Sequence, residues 1–84
     1  MELTYPEKVR RYLSKCTVGI AGCGGLGSNC AISLARAGVG KLIIADFDIV
    51  TVENLERQYY FHDQVNKLKV LALRDNILRI DPSI

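Results

Sequence analysis

Thr17-Val18-Gly19-Ile20-Ala21-Gly22-Cys23-Gly24-Gly25-Leu26-Gly27-Ser28 decides the fold. Its first five residues are an apolar, partly β-branched run of the length expected of a buried parallel strand. Gly22-Cys23-Gly24-Gly25-Leu26-Gly27 then forms a glycine turn. Residues 28–37 are good helix formers, closed by Gly38 as a C′ glycine. A second apolar run, Leu42-Ile43-Ile44-Ala45, ends on Asp46. Strand, glycine turn, helix, strand and acid in this order predict the β-α-β unit on which adenosine phosphates bind.

The glycines have separable tasks. Gly22 allows the tight turn off the strand, Gly24 lets backbone approach a phosphate, and Gly27 lets the helix pack on the sheet. Gly25 belongs to the same turn, at the helix start, where free backbone N–H groups and the helix dipole favour an anion. Asp46 stands where an acid bonds ribose hydroxyls. The plainer alternative is a glycine turn with a structural role alone.

The chain has 84 residues, 49% of them hydrophobic and 24% charged, with a net charge of +2. That is the balance of a globular chain with no polyelectrolyte character. No apolar run approaches membrane-spanning length, and Met1-Glu2-Leu3-Thr4-Tyr5-Pro6 does not read as a signal peptide. A cytoplasmic protein without membrane or nucleic-acid partners is the expectation. Cys16, Cys23 and Cys30 are an odd set with no Cys-x-x-Cys pair, so neither a disulfide framework nor a zinc site is predicted among them. Cys23 and Cys30 read as small apolar fillers, with a reactive Cys23 thiol at a helix N-terminus as the alternative. Two clear strands are too few for a doubly wound sheet, so the chain reads as the front of a longer protein, marginally stable alone.

Thr4-Tyr5-Pro6-Glu7 opens like a capping box. Tyr5, Val9, Tyr12 and Leu13 follow at helical spacing, giving an N-terminal helix within residues 1–15. Its apolar side suits packing on the sheet edge or on a partner subunit, and Arg10 or Arg11 reaching a bound phosphate is the sharper alternative. Residues 16–84 form the nucleotide-binding unit. Within it Asp46-Phe47-Asp48 places two acids at the strand's end. Asn54, Arg57 and Gln58 fall within one helical turn, offering a cationic fork and amide donors to a triphosphate. A solvated turn is the alternative. Tyr59-Tyr60-Phe61 reads as a core or interface plug and His62 as a loop residue. A last helix, capped by Asn66, is predicted over 67–80, with Val70, Leu73, Ile77 and Ile80 as its apolar stripe, widened by Leu71 and Leu78. Asp81-Pro82 ends it. Lys67 and Lys69 fall in its first turn, the wrong end for the helix dipole, and a nearby phosphate would explain them.

These residues together resemble the ThiF/MoeB/HesA family, bacterial relatives of the ubiquitin-activating enzymes. The resemblance runs from about Cys16 to Pro82. It rests on Gly22-Cys23-Gly24-Gly25-Leu26-Gly27-Ser28, Ala35-Arg36-Ala37-Gly38-Val39-Gly40-Lys41, Asp46-Phe47-Asp48-Ile49-Val50, Asn54-Leu55-Glu56-Arg57-Gln58 and Lys69. The chain looks most like the ThiF branch, which activates the sulfur carrier ThiS for thiamine synthesis. The resemblance implies a Rossmann-like, doubly wound parallel sheet, present here as its N-terminal portion. It also implies a homodimer and adenylylation by ATP of the C-terminal glycine carboxylate of a ubiquitin-like carrier. Asp46 would hold the ribose, and Asn54, Arg57, Gln58 and Lys69 the phosphates, with Arg57 and Lys69 catalytic; Asp48 also matches the pattern. Mg²⁺ would be held by an aspartate beyond residue 84, where zinc-binding cysteines are also expected, and no metal ligand is assigned within the chain. Where the family commonly has Gly-Lys-Pro-Lys, this chain has Asn66-Lys67-Leu68-Lys69.

Three further readings stand beside this one. The same β-α-β unit serves NAD-dependent oxidoreductases, although a dinucleotide needs no cluster such as Arg57 and Lys69 for a terminal triphosphate. A non-catalytic nucleotide-binding or dimerising fragment is the second. Within the family, a tRNA-modifying dehydratase or activation of the molybdopterin-synthase carrier is the third.

Overall fold

The computed structural model describes residues 7–84. In chain order it contains α1 (Glu7–Leu13), β1 (Thr17–Ala21), α2 (Gly25–Ala37), β2 (Lys41–Ala45), 3₁₀ turns over Val52–Glu56 and His62–Gln64, and α3 (Lys69–Ile80). The predicted capping box at Thr4 and the stripe position Tyr5 lie outside the described residues.

The two strands pair in parallel, in register from Thr17 opposite Lys41 to Ala21 opposite Ala45. The ladder runs one bond further, from the Gly22 N–H to the Ala45 carbonyl at 2.7 Å. Period-two alternation sends Ile20, Leu42 and Ile44 into the core under the helices. The other face leaves Thr17, Gly19, Ala21, Lys41, Ile43 and Ala45 exposed. Full burial of the strands, as the apolar runs suggest, is therefore not observed: the helices α2 and α3 cover one face only.

Helix α2 carries Ala31, Ile32 and Ala35 into that core and ends as expected at Gly38, whose φ of 97° is left-handed. Helix α3 adds Ala72, Leu73 and Ile77. Leu71 and Leu78 are exposed, so they do not widen its stripe, and the positions beside it are taken instead by Lys69, Ala72 and Asn76. Val50, Tyr60 and Cys23 close the core beneath the glycine turn. Cys23 is thus an apolar filler, but Cys30 is exposed on α2 and is not.

The start of α3 corrects the sequence expectation. Asn66 does not cap it: the helix begins at Lys69, with Leu68 in the cap position and no side-chain cap bond. Segment 48–50 pairs antiparallel with 66–69 through Val50 N–H to Lys67 O (2.8 Å), Asn66 N–H to Val50 O (2.8 Å) and Lys69 N–H to Asp48 O (2.9 Å). These bonds hold 66–68 extended or turned, so a helix cannot start earlier. Asn66 sits at φ 73°, the left-handed region that asparagine tolerates better than most residues. A left-handed residue, not a cap, is what this position holds.

Helix α1 buries none of its residues, and Val9 and Tyr12 are exposed. The turn after it is tied to the sheet by Gly40 N–H to Leu13 O (3.0 Å) and Lys41 N–H to Cys16 O (3.2 Å).

Candidate functional site

The site forms where β1 hands over to α2. Gly22 has φ 97°, so the turn off β1 uses a backbone conformation that L side chains rarely adopt. A Cβ on Gly27 would lie 1.9 Å from the Gly22 carbonyl oxygen, which brings α2 hard against the strand end. Both assignments made from the glycine pattern are met. Gly24 precedes α2, Gly25 opens it, and the first N–H groups of a helix have no intrahelical partners. Gly22, Gly24 and Gly27 line a shallow depression of about 480 Å³ beside β1.

Asp46, at the end of β2, is bound to this turn. Its Oδ2 accepts the Cys23 N–H at 2.7 Å, and its Oδ1 accepts the Asp48 N–H at 2.8 Å. The Cys23 N–H is the main reason its carboxyl is held below the usual range; the Asp48 and Phe47 N–H groups and the Lys69 charge act the same way, against burial. A carboxylate offers about four lone-pair sites, so two bonds leave room for ribose hydroxyls. The Asp48 side chain is exposed and enters through its backbone alone.

Lys69 is the first residue of α3 and only 6% exposed. The antiparallel pairing described above sets it beside the Asp48 carbonyl, and its charge is felt at both Asp46 and Cys23. Among the described residues its ammonium enters no ion pair. The covered part is its aliphatic stem, while the ammonium itself keeps contact with solvent.

The 54–60 segment lies against the same turn. Gln58 packs its side chain over Gly24 and Gly25, and its buried Oε1 has no hydrogen-bond partner. Asn54 uses its Oδ1 to accept the Thr51 N–H at 3.0 Å, which organises the 3₁₀ turn. Arg57 is exposed and, among the described residues, in no ion pair, while its carbonyl accepts from Asn29 Nδ2 at 3.2 Å. Tyr59 N–H donates to Ser28 Oγ at 3.0 Å, and the Tyr60 hydroxyl donates to the Cys23 carbonyl at 2.5 Å. Below them Gln64 and Asn76 exchange amide bonds at 2.7 and 3.1 Å, and Asn76 also donates to the Tyr59 carbonyl. Sequence reading missed Asn29, Gln64 and Asn76. Gln64, in a three-residue turn, carried no helical signal, and of the two on helices only Asn76 interrupts a buried stripe.

Three other expectations are settled by position. Cys23 is fully buried, and burial followed by the Asp46 charge raises its thiol pKa, so the reactive-thiol reading falls. His62 is an exposed residue of a short turn. Arg10 packs over Gly38, at the far end of α2 from the glycine turn, about 20 Å away by helix rise. It does not approach the turn of its own chain. Among the described residues no three His, Cys, Asp or Glu side chains converge on a metal site, and no helix is long and apolar enough to cross a membrane.

A parallel β-α-β unit with a glycine turn after its first strand and an acid after its second defines part of a Rossmann-like domain. More narrowly, the chain belongs to the ThiF family, whose model matches residues 2–84. It is 45% identical over 73 residues to the molybdopterin-synthase adenylyltransferase of Salmonella typhimurium, covering 86% of this chain and 29% of that protein. It is 41% identical over 68 residues to ubiquitin-like modifier-activating enzyme 5 of Caenorhabditis elegans, covering 81% of this chain and 16% of the other. The crystal structure of E. coli tRNA N6-threonylcarbamoyladenosine dehydratase, TcdA, in complex with ATP superposes with a TM-score of 0.89 at 34% identity, covering 94% of this chain and 33% of that one. The chain thus spans a third or less of the length of these relatives.

Proposed function

We propose that the protein carrying this chain is an ATP-dependent adenylyltransferase that activates the C-terminal carboxylate of a ubiquitin-like carrier. Within that class we infer a ThiS-like sulfur carrier of thiamine biosynthesis, from the match of motifs along residues 16–82. The observation that carries the nucleotide reading is Lys69: a lysine with a covered stem, in no ion pair among the described residues, whose charge acts on both Asp46 and Cys23 of the glycine turn. An anionic ligand supplies the missing partner. That TcdA was crystallised with ATP, and that a 45% identical relative is a named adenylyltransferase, supports ATP as that ligand.

In the proposed reaction a carboxylate oxygen of the carrier attacks the α-phosphorus of ATP. The bond from that phosphorus to the pyrophosphate bridging oxygen breaks, leaving an acyl-adenylate and pyrophosphate. Charge accumulates on phosphate oxygens, so positioning and fixed cations do most of the work. Asp46 orients the ribose, Gly22, Gly24, Gly25 and Gly27 let backbone donors reach the phosphates, and Asn54, Arg57, Gln58 and Lys69 bind and neutralise them. Arg57 is free to swing, whereas Lys69 is fixed by burial. Mg²⁺, held by an aspartate expected beyond residue 84, would offset the negative charge of the leaving pyrophosphate. A homodimer in the cytoplasm is part of the proposal.

The likeness to TcdA favours a second reading in which the adenylylated carboxylate sits on a modified tRNA. ATP–pyrophosphate exchange by the full-length protein separates them, measured with a carrier ending in Gly-Gly and with tRNA. Exchange dependent on the carrier and lost in Arg57→Ala or Lys69→Ala supports the first reading. Exchange with tRNA alone supports the second, and exchange with neither removes both.

A further inference from the structure

Cys23 is held by both of its backbone groups. Its N–H donates to Asp46 Oδ2 at 2.7 Å, and its carbonyl accepts from the Tyr60 hydroxyl at 2.5 Å. Cys23 is fully buried and Tyr60 is 5% exposed, so water does not compete for the second bond. The described peptide bonds are trans, and a planar trans peptide points its C=O and N–H in opposite directions. Anchoring the Cys23 carbonyl inward on Tyr60 therefore turns the Gly24 N–H away from the core. No described hydrogen bond uses that N–H, which lies immediately before the free donors of α2. Among the described residues no other hydrogen bond engages this peptide itself, and the glycine that follows it leaves its orientation to that bond more than another residue would.

We propose that Tyr60 is a positioning residue of the nucleotide site: its hydroxyl fixes the Cys23–Gly24 peptide so that the Gly24 N–H is presented to a phosphate. This rests on the nucleotide reading of the glycine turn. The tyrosine does not touch the ligand, and its segment is coupled to the first turns of α2 at two further points. Asn29 Nδ2 donates to the Arg57 carbonyl and Tyr59 N–H donates to Ser28 Oγ. Arg57, Gln58 and the turn are thereby registered against one another before any ligand arrives, which lowers the ordering cost of binding.

Tyr60→Phe keeps the ring and removes the bond. In the full-length protein, calorimetric titration with ATP and with adenosine separates phosphate contacts from nucleoside contacts. The variant is expected to bind ATP about tenfold more weakly, with adenosine affinity within about twofold of the wild type. Equal ATP affinity in variant and wild type overturns the inference while leaving the nucleotide site intact. So does a parallel loss of ATP and adenosine, the pattern of a merely structural tyrosine. Failure of the wild-type protein to bind ATP removes the nucleotide reading and this inference with it. Amide exchange by NMR tests the orientation without any variant. The Gly24 N–H should exchange freely in the unliganded protein and be protected by ATP. A Gly24 amide already protected without ligand overturns the proposal.

Discussion

The Asp46 carboxylate and the Cys23 N–H, 2.7 Å apart, join the end of the second strand to the turn after the first. The residue proposed for the ribose is thus also a fastener of the glycine turn, so its substitution is expected to affect both folding and binding. In Asp46→Asn one of the two acceptor oxygens becomes an amide nitrogen facing a backbone N–H, either that of Cys23 or that of Asp48. A donor against a donor is expected to cost about 1–3 kcal/mol of folding stability. Denaturant titration measures this cost, and the loss of ATP binding should exceed what the unfolded fraction accounts for. A variant as stable as the wild type would show that the fastening is dispensable.

The same contacts fix the pH dependence. Backbone N–H donation lowers the Asp46 pKa, and Ser83, through its hydroxyl and its N–H, lowers that of Asp81. The unfolded chain, with carboxyls near the ordinary value of about 3.9, takes up protons first as pH falls. The stability these groups add is therefore fully present above about pH 5 and lost as pH drops toward their native pKa values. At the alkaline end the sign reverses for Tyr60, whose phenol is raised chiefly by burial. Its contribution holds below the ordinary tyrosine pKa of about 10 and is lost above it. Denaturant midpoints across pH test the acid limb, where the difference between wild type and Asp46→Asn should be flat above about pH 5 and shrink below it, and the wild-type midpoint above about pH 10 tests the alkaline one.

Gly27→Ala tests the close approach of α2 to β1. The added Cβ would fall 1.9 Å from the Gly22 carbonyl oxygen, a backbone atom with no flexible end to yield. The helix start must move, at a cost of about 1–3 kcal/mol, and the phosphate turn moves with it. Both melting temperature and ATP affinity should fall. Loss of stability with unchanged affinity would separate helix packing from the site.

The β-α-β unit was legible because each piece has a local signal: apolar runs for the strands, glycines where only glycine fits, and Gly38 where the helix ends. The positions of Asp46 and Lys69 were legible as well, the one after the second strand and the other at the start of the last helix, while their roles toward a nucleotide stay proposals. What could not be read was long-range pairing. The antiparallel contact between 48–50 and 66–69 delays α3 to Lys69 and makes Asn66 a left-handed residue, and neither fact is local to the 66–69 sequence. The bonds of Tyr60 and Asn29 to the turn and its flanking loop span 37 and 28 residues, beyond the reach of any helical or strand period. The open face of the sheet was hidden for a related reason: a run of apolar residues does not report how many layers cover it.

The turn into α3 yields the last prediction. Leu68 stands where the family commonly has proline, and its backbone, at φ −60° and ψ 134°, already has the geometry that the proline ring imposes. The ladder bonds around it use the Lys67 carbonyl and the Lys69 N–H, so its own N–H is not called upon among the described residues. Its side chain is 42% exposed, and removing it takes little from the core. Leu68→Pro therefore leaves the folded state unchanged while narrowing the conformations open to the unfolded chain. A gain of about 0.4–1 kcal/mol is expected, seen as a melting temperature higher by about 2–8 °C. Because Lys69 follows directly, a stiffer cap also holds its position more firmly, and ATP affinity should be maintained or rise. A proline variant that melts lower would mean that the Leu68 side chain or its N–H matters to this turn after all.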